Sequence, residues 1–324
     1  MTTTMFSSIT PNMVSGARID SQTGVLVGEC TERVTETFPL VHSTGIALAA
    51  PSVASLLMYV KRAMPSPSRE KASSKEGSSD GFYSFDSYED AWDTFAHRPY
   101  ELAVFREADS MIRIFDTPGI EIDFDVVGDD LDMGRFLEGD PLCYSHMVMG
   151  NSTNVVATLY VSTSAPYWVG KSAFAAKVAR ICRLCDWLET NRVRTRIIAI
   201  EANQCGLIEV TVKDFADPMY LPNVAVVAHG DFLRRIIFRV NEHSKTWQHG
   251  YGTAINLGDK NHFKSRPSYG EITFIIDQPT DVDSVNAAFD EAEAKTESVI
   301  PDINNGLFNS RSDWPLIAVK GYGK

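Results

Sequence analysis

The residues whose spacing most resembles a chemical motif lie at positions 165–172 and read Ala-Pro-Tyr-Trp-Val-Gly-Lys-Ser. This stretch satisfies the Walker A phosphate-binding pattern if Ala is allowed at the first position, and it lies between a predicted strand and a predicted helix. Glu201, which follows another apolar strand, mimics a Walker B acid. Pro166 has no N–H to turn towards a phosphate, and Tyr167 crowds the loop, so the loop chemistry argues against nucleotide binding. A P-loop nucleotide hydrolase that uses Lys171 remains one alternative function.

Cys182 and Cys185 have the C-x-x-C spacing that redox and zinc sites use. Redox pairs begin a helix, whereas these two cysteines fall in the third turn of a predicted helix, and no second pair completes four metal ligands. The spacing therefore predicts packing in the core. No zinc-protease, hydrolase-elbow or Cys–His motif is present either, so the sequence predicts no catalytic nucleophile and no catalytic residues.

Basic and aromatic residues are interleaved in the second half of the chain, and single-stranded nucleic acid requires this combination of a cationic track and stacking rings. Helical spacing puts one basic row opposite an apolar helix face, and alternation puts three arginines on one side of the next strand. The candidate nucleic-acid-binding residues are Lys177, Arg180, Arg183, Arg192, Arg194, Arg196, Arg234, Arg235, Trp247, Tyr251, Phe263, Lys264 and Arg266. An ordinary polar loop over an α/β domain is the alternative interpretation.

The charges are segregated along the chain although the net charge is −12. Residues 80–140 hold 17 acidic and 4 basic residues, whereas residues 171–266 hold 15 basic and 9 acidic residues. Segregation permits a cationic face on an acidic protein, which is how such a protein could hold a polyanion. Solvated surfaces of opposite sign, without a ligand, are the alternative.

Length and composition predict a globular cytoplasmic protein without a membrane span. The chain has 324 residues, of which 44% are hydrophobic, and no apolar run approaches the ~20 residues of a transmembrane helix. The start of the chain lacks the pattern of a secretory signal, and the five cysteines suit a reducing compartment.

The pattern of elements changes near residue 150 from mixed short segments to alternating strands and helices, which predicts a layered α/β sheet. We predict an N-terminal segment (1–64), a Ser/Pro-rich linker (65–80), an acidic α+β region (81–149) and an α/β domain (150–324). In the first three parts, short apolar alternations occur at 25–27 and 38–41, and a helix is predicted at 47–64. A Ser or Asp cap within residues 85–92 predicts a second, short helix that ends near Pro99, and strands are predicted at 111–115 and 122–127. In the last part, the predicted strands are 155–161, 193–200, 207–212, 272–276 and 314–319, and the predicted helices are 171–190, 231–243 and 282–299.

Three short stretches of this last part resemble the metal-binding edge of a von Willebrand A (vWA) domain. Residues 160–164 (Tyr-Val-Ser-Thr-Ser) resemble the family's Asp-x-Ser-x-Ser, while Thr253 and Asp277 match its later Thr and Asp. The order of strands and helices is also similar. The resemblance implies a vWA-like, Rossmann-type sheet and a divalent-cation site with the oxygen ligands Ser162, Ser164, Thr253 and Asp277. Because Tyr160 stands where the family has its first Asp, we expect at most weak Mg²⁺ binding. A vWA-type protein-interaction adaptor without DNA affinity is a second functional alternative.

Residues 124–141, which read FDVVGDDLDMGRFLEGDP, are similar to a signature of a family of phage-encoded proteins that is also seen in bacteria. We associate that family with the early single-stranded-DNA-binding transcription factor of Enquatrovirus-type phages. The resemblance implies a non-catalytic accessory factor in the cytoplasm of an infected bacterium. Its expected partners are single-stranded DNA and the phage RNA polymerase, with no cofactor beyond the weak Mg²⁺.

Overall fold

The computed structural model describes residues 18–19, 26–27, 31–35, 45–63, 85–112, 122–125, 130–131, 133–138, 144–147, 155–165, 169–191, 193–203, 206–243, 271–278, 281–304 and 315–319. The strands are β1 (Arg18–Ile19), β2 (Leu26–Val27), β3 (Thr31–Thr35), β4 (Gly45–Ala50), β5 (Ile122–Asp125), β6 (Asp130–Leu131), β7 (Tyr144–Met147), β8 (Val156–Ser162), β9 (Arg194–Asn203), β10 (Gly206–Lys213), β11 (Glu271–Ile276) and β12 (Leu316–Val319). The α-helices are α1 (Val53–Ala63), α2 (Tyr88–His97), α3 (Ala103–Ile112), α4 (Met133–Glu138), α5 (Lys171–Thr190), α6 (Leu221–Ala228), α7 (Phe238–His243) and α8 (Val282–Asn304).

Seven strands form the main sheet, in the spatial order β12-β11-β8-β9-β10-β4-β3. Four of its six neighbouring pairs are parallel, and only the pairs β9–β10 and β3–β4 are antiparallel. The predicted α/β class with a layered, mostly parallel sheet is therefore confirmed. Strands β1 and β2 pair separately, and β5, β7 and β6 form a small antiparallel sheet.

The apolar sequences of β8 and β11 explain why these two strands lie in the interior of the sheet. β11 is buried at every position, and β8 at every position but its first, as expected of strands covered on both faces. The strands predicted at 193–200 and 207–212 correspond to β9 and β10. They pair antiparallel as a hairpin, as their short connection requires, with Asn203 opposite Gly206.

Helix α5 has the predicted bounds and lies at the centre of the helical layer, where it packs against β9, α3, α6 and α8. Its alanines allow this close approach, and thirteen of its twenty residues are buried. Cys182 and Cys185 are among them, so their predicted packing in the core is confirmed. Burial raises the pKa of the Cys185 thiol to about 12, which keeps it protonated and unreactive at neutral pH.

The first part of the predicted helix at 47–64 is wrong, because residues up to Ala50 form strand β4. Pro51 and Ser52 separate this strand from α1, and Ser52 Oγ accepts the backbone N–H of Ser55 at the start of the helix. β4 pairs in parallel with β10. The segment before residue 64 thus belongs to the same sheet as the second half of the chain.

Two helices from the acidic region pack against the main layer. α2 begins at the cap Ser87, whose Oγ accepts the N–H of Asp90 over 3.1 Å, so the predicted capped helix is confirmed. Trp92 of this helix donates its indole N–H to Leu57 O of α1 over 2.9 Å.

Only residues 111 and 112 of the strand predicted at 111–115 are described. The prediction is wrong for these two residues, because they end α3.

The single helix predicted at 231–243 is in fact the end of a longer, irregular helical segment. α6 precedes it with Pro222 in its first turn, and a π-helix (Phe232–Ile237) leads into α7. Sequence periodicity missed α6 because that helix is buried nearly all round and has no polar face to produce a repeat.

No helix in the described part of the chain is long and apolar enough to cross a membrane.

Candidate functional site

Polar residues from three neighbouring parallel strands meet at the carboxyl edge of the main sheet. Ser162 ends β8, with Thr163 and Ser164 following it, Glu201 lies near the end of β9, and Asp277 follows β11. The register puts Ser162 beside Ile200 of β9, and Val161 beside Ile276 of β11. Ser162, Ser164 and Asp277 thus lie at one edge of the sheet, while Thr253 lies outside the described residues, and the weak metal site stays a prediction.

Glu201 holds the segment that follows β8. Its Oε2 accepts hydrogen bonds from Thr163 Oγ1 over 2.9 Å and from Ser164 Oγ over 2.5 Å. The backbone N–H of Thr163 also bonds to Ile200 O over 2.9 Å. Glu201 is only 2% exposed, so these hydroxyl groups replace the water that a carboxylate otherwise requires. Sequence analysis considered Glu201 only as a Walker B mimic and missed this structural role.

Lys177 reaches the same edge from α5. Its Nζ donates a hydrogen bond of 2.7 Å to the backbone carbonyl of Ser162, and the residue is 2% exposed. Burial lowers the pKa of the Lys177 ammonium to about 7, and the nearby Asp277 carboxylate opposes part of that shift. The prediction that Lys177 lies on an exposed basic face is wrong, because α5 is covered on several sides by other elements.

The other predicted cations of α5 face acidic residues of α8. Arg180 is buried, and its Nη2 lies 2.5 Å from Asp290 Oδ1 and 3.1 Å from Glu293 Oε1. Arg183 is half-buried, and its Nη2 lies 3.8 Å from Glu293 Oε2. The predicted exposure of Arg180 is therefore also wrong, since its guanidinium joins two helices.

The arginines of β9 retain a surface position. Arg194 is exposed and Arg196 is half-buried, and both project from the same face of the strand, as predicted. The guanidinium of Arg196 lies 4.6 Å from the ring centre of Phe215, and its Nη2 lies 3.9 Å from Glu271 Oε1. Arg194 Nη1 donates a long hydrogen bond of 3.4 Å to Phe215 O. Two arginines and one aromatic ring are thus brought together, and we call this group the β9 arginine patch (Arg194, Arg196, Phe215).

Of the remaining candidate nucleic-acid-binding residues, Arg234 and Arg235 lie in the helical layer and the others lie outside the described residues. Arg234 is half-buried, with its guanidinium 4.9 Å from the ring centre of Phe238. Arg235 is fully buried, donates to Phe85 O over 2.9 Å and lies 3.5 Å from Asp231, so its predicted exposure is wrong. Six predicted contacts lie outside the described residues, namely Arg192, Trp247, Tyr251, Phe263, Lys264 and Arg266.

A buried histidine forms a second polar cluster, which sequence analysis missed. His229 is 4% exposed and packs against the rings of Phe85 and Phe95, at centroid distances of 5.7 and 5.6 Å. Burial lowers the pKa of His229 to about 4, and the positive charge of Lys171 adds to the shift. No motif surrounds this histidine in the sequence, because its neighbours come from two distant segments.

The P-loop alternative stays a prediction. Lys171 and Ser172 are exposed in the first turn of α5, while residues 166–168 of the loop lie outside the described residues.

The fold and this edge define a mixed α/β protein in which a buried polar cluster closes the carboxyl end of the central strands. Residues 34–304 match the family described as Domain of unknown function (DUF7192), and the chain belongs to that family. No curated protein and no solved structure matches the chain.

Proposed function

We propose that this protein acts by binding rather than by catalysis, as a single-stranded-DNA-binding accessory factor for phage transcription. The observation that carries the proposal is the β9 arginine patch, in which exposed Arg194 and half-buried Arg196 lie on one face of the strand, with the Arg196 guanidinium over the ring of Phe215. Arginines contact phosphates and an aromatic ring can stack on an unpaired base, so the patch offers both interactions that a single strand needs.

The same patch favours a single strand over a duplex. Base stacking on an aromatic ring stabilises a complex by about 1–3 kcal/mol per base, and only unpaired bases are free to stack. The acidic segments of the chain repel a duplex more strongly, because a duplex carries the higher charge density. Since Lys177, Arg180 and Arg235 are buried, the proposed surface consists of the patch, Arg183, Arg234 and the undescribed candidates.

Fluorescence anisotropy of a labelled single-stranded oligonucleotide tests this function. We expect Arg194→Ala with Arg196→Ala to weaken binding and to reduce the dependence of log Kd on log salt, because phosphate contacts are lost. The control is Arg62→Ala with Arg106→Ala, which removes two exposed arginines of α1 and α3 and should leave affinity unchanged. Absence of any anisotropy change with wild-type protein, at low salt and micromolar concentration, would refute the proposal.

We also propose that residues 155–319 form a vWA-like unit. The chain order from β8 to β12 supports this, since it runs strand, helix, hairpin, helical segment, strand, helix and strand. In the sheet, β8 lies between β9 and β11, with β10 antiparallel beyond β9. A solved structure of this chain, superposed on a vWA domain, tests the assignment.

A second candidate function is a protein-interaction adaptor, which the surface of α4 favours. Met133, Phe136 and Leu137 of this helix are 56%, 52% and 77% exposed, and their spacing puts them on one side. Residues 121–140 around them hold eight acidic residues and Arg135 alone as a base. An apolar helix side in acidic surroundings fits a partner protein that has an apolar groove with a basic rim.

Binding to purified phage RNA polymerase tests the α4 surface, and oligonucleotide affinity, measured on the same variants, tests DNA binding separately. We expect Phe136→Ser with Leu137→Ser to abolish polymerase binding and leave oligonucleotide affinity unchanged. Tyr100→Ser, which removes another aromatic residue that is 55% exposed, is the matched control and should bind normally. Equal polymerase binding by the wild type and the α4 variant would exclude this surface.

A further inference from the structure

The crevice at the carboxyl edge between β8 and β11 is filled by a side chain of the protein itself. β8 lies at the point where the strand order reverses, with β9 on one side and β11 on the other. In open α/β sheets, ligands bind at such a point, just outside the carboxyl ends of the strands. Here the side chain of Lys177 enters from α5 and donates to Ser162 O over 2.7 Å.

The surroundings of the ammonium group leave little room for anything else. Lys177 and Asp277 are 2% and 3% exposed, and with Gln278 and Phe289 they line a cavity of about 10 Å³. A cavity of this size holds at most one water molecule. A buried ammonium requires a compensating negative charge, and Asp277 at the end of β11 supplies one.

Two hydroxyl groups that the vWA resemblance assigns to a divalent cation form hydrogen bonds within this edge. Ser162 Oγ accepts the backbone N–H of Ser164 over 3.2 Å, and Ser164 Oγ donates to Glu201. Tyr160 stands where the vWA resemblance expects a carboxylate, and a divalent ion beside a buried ammonium would be repelled. While the Lys177 ammonium is present, the described residues of this edge therefore do not fit a divalent cation.

We propose that the Lys177 ammonium is the resident cation of this crevice, in the place that a divalent ion would occupy. It joins α5 to β8 through Ser162 O, and it offsets the charge of Asp277 without any metal. The proposal is independent of DNA binding, since the β9 arginine patch does not include these residues.

Removing the ammonium should convert the crevice into a metal site. We expect full-length wild-type protein and the control Lys171→Ala to show no Mn²⁺ binding by calorimetry at millimolar Mn²⁺. Lys177→Ala should bind Mn²⁺, because it opens the space and leaves Asp277 without its counter-charge, and addition of Asp277→Asn should abolish that binding. Binding to wild-type protein that Asp277→Asn abolishes, or no binding to folded Lys177→Ala, would overturn the proposal.

A double-mutant cycle tests the role of the Lys177 ammonium even if Lys177→Ala does not fold. Lys177→Met keeps most of the side-chain volume, and Asp277→Asn keeps the shape of its partner. We expect coupling of more than tenfold in the unfolding equilibrium constant between these changes, measured in urea at pH 6, where the Lys177 amine carries its proton. Lys171→Met should show no coupling with Asp277→Asn. Additive effects of Lys177→Met and Asp277→Asn would contradict the resident-cation role.

Discussion

His229 Nδ1 accepts a hydrogen bond of 3.1 Å from the backbone N–H of Asp231, in the turn between α6 and the π-helix. An imidazole nitrogen accepts a hydrogen bond only when it carries no proton, so this contact selects the neutral ring with its proton on Nε2. Burial against two phenylalanine rings further disfavours the imidazolium. The structure around His229 is therefore sensitive to acid.

We expect the stability of the protein to fall between pH 6.5 and pH 4 because of His229. Its pKa is about 4 in the folded protein and near 6.5 in the unfolded chain, so only the unfolded chain takes up the proton in this window. The contribution is complete above pH 6.5 and is lost as the pH falls towards 4, by about 3 kcal/mol in total. Urea unfolding at pH 7.5 and 4.5 should show a smaller loss for His229→Gln than for wild-type protein. His97→Gln, at an exposed histidine of α2, should behave as wild type.

We expect Lys177 to make the stability of the protein depend on pH above neutrality. Its pKa is lowered from 10.5 to about 7, so the unfolded chain holds its proton at pH values where the folded protein has released it. The stability from this group is fully present above pH 10.5 and is lost as the pH falls through 7, by at most about 1.4 kcal/mol per pH unit. Between pH 7 and 9.5, wild-type protein should therefore gain stability relative to Lys177→Met. Parallel pH profiles of the two proteins in urea unfolding would contradict this expectation.

The hydrogen bond from Ser164 to Glu201 should contribute measurably to folding. Ser164→Ala leaves the buried carboxylate with one fewer donor, and bonds to charged groups typically stabilise proteins by about 1.5–3 kcal/mol. We expect that loss in urea unfolding, and a smaller loss when the same change is made in a Glu201→Gln background. Ser172→Ala, at an exposed serine of α5, is the control and should change stability little.

Arg180 should matter for stability and not for DNA affinity. Arg180→Ala removes the ion pairs that join α5 to Asp290 and Glu293 of α8, with an expected loss of about 1–3 kcal/mol. Below its melting temperature the variant should bind oligonucleotide like wild-type protein, in contrast to Arg194→Ala with Arg196→Ala. A reduced affinity of folded Arg180→Ala would mean that the guanidinium leaves α8 to contact DNA.

Sequence patterns predicted the elements whose signals are local. The bounds of α5 follow from its apolar repeat, and the β9–β10 hairpin follows from two apolar runs joined by a short turn. α6 and β4 were missed because their short apolar runs carry no periodic polar face. Irregular features such as the π-helix at Phe232–Ile237 have no such repeat either.

From the sequence, the candidate site could be predicted only for the residues that lie at the ends of strands. Ser162 and Asp277 end parallel strands, so their position at one edge follows from sequence order. The hydrogen-bond partners of the edge residues depend on packing between distant elements. The contact of Glu201 with the segment after β8, for example, depends on the register of β8 with β9. The burial of Lys177 depends on how many elements cover α5, and the periodicity of a single helix contains no such information.

The parallel pairing of β4 with β10 has a consequence for the newly made chain on the ribosome. Ile46 pairs with Gly206, about 160 residues later, so one edge of β4 has no partner until β10 has been synthesised. At elongation rates of about 5–20 residues per second, that interval lasts roughly 8–30 s. During this time the β3–β4 hairpin has an open edge that another nascent chain could pair with, so aggregation during synthesis should increase when translation is slow.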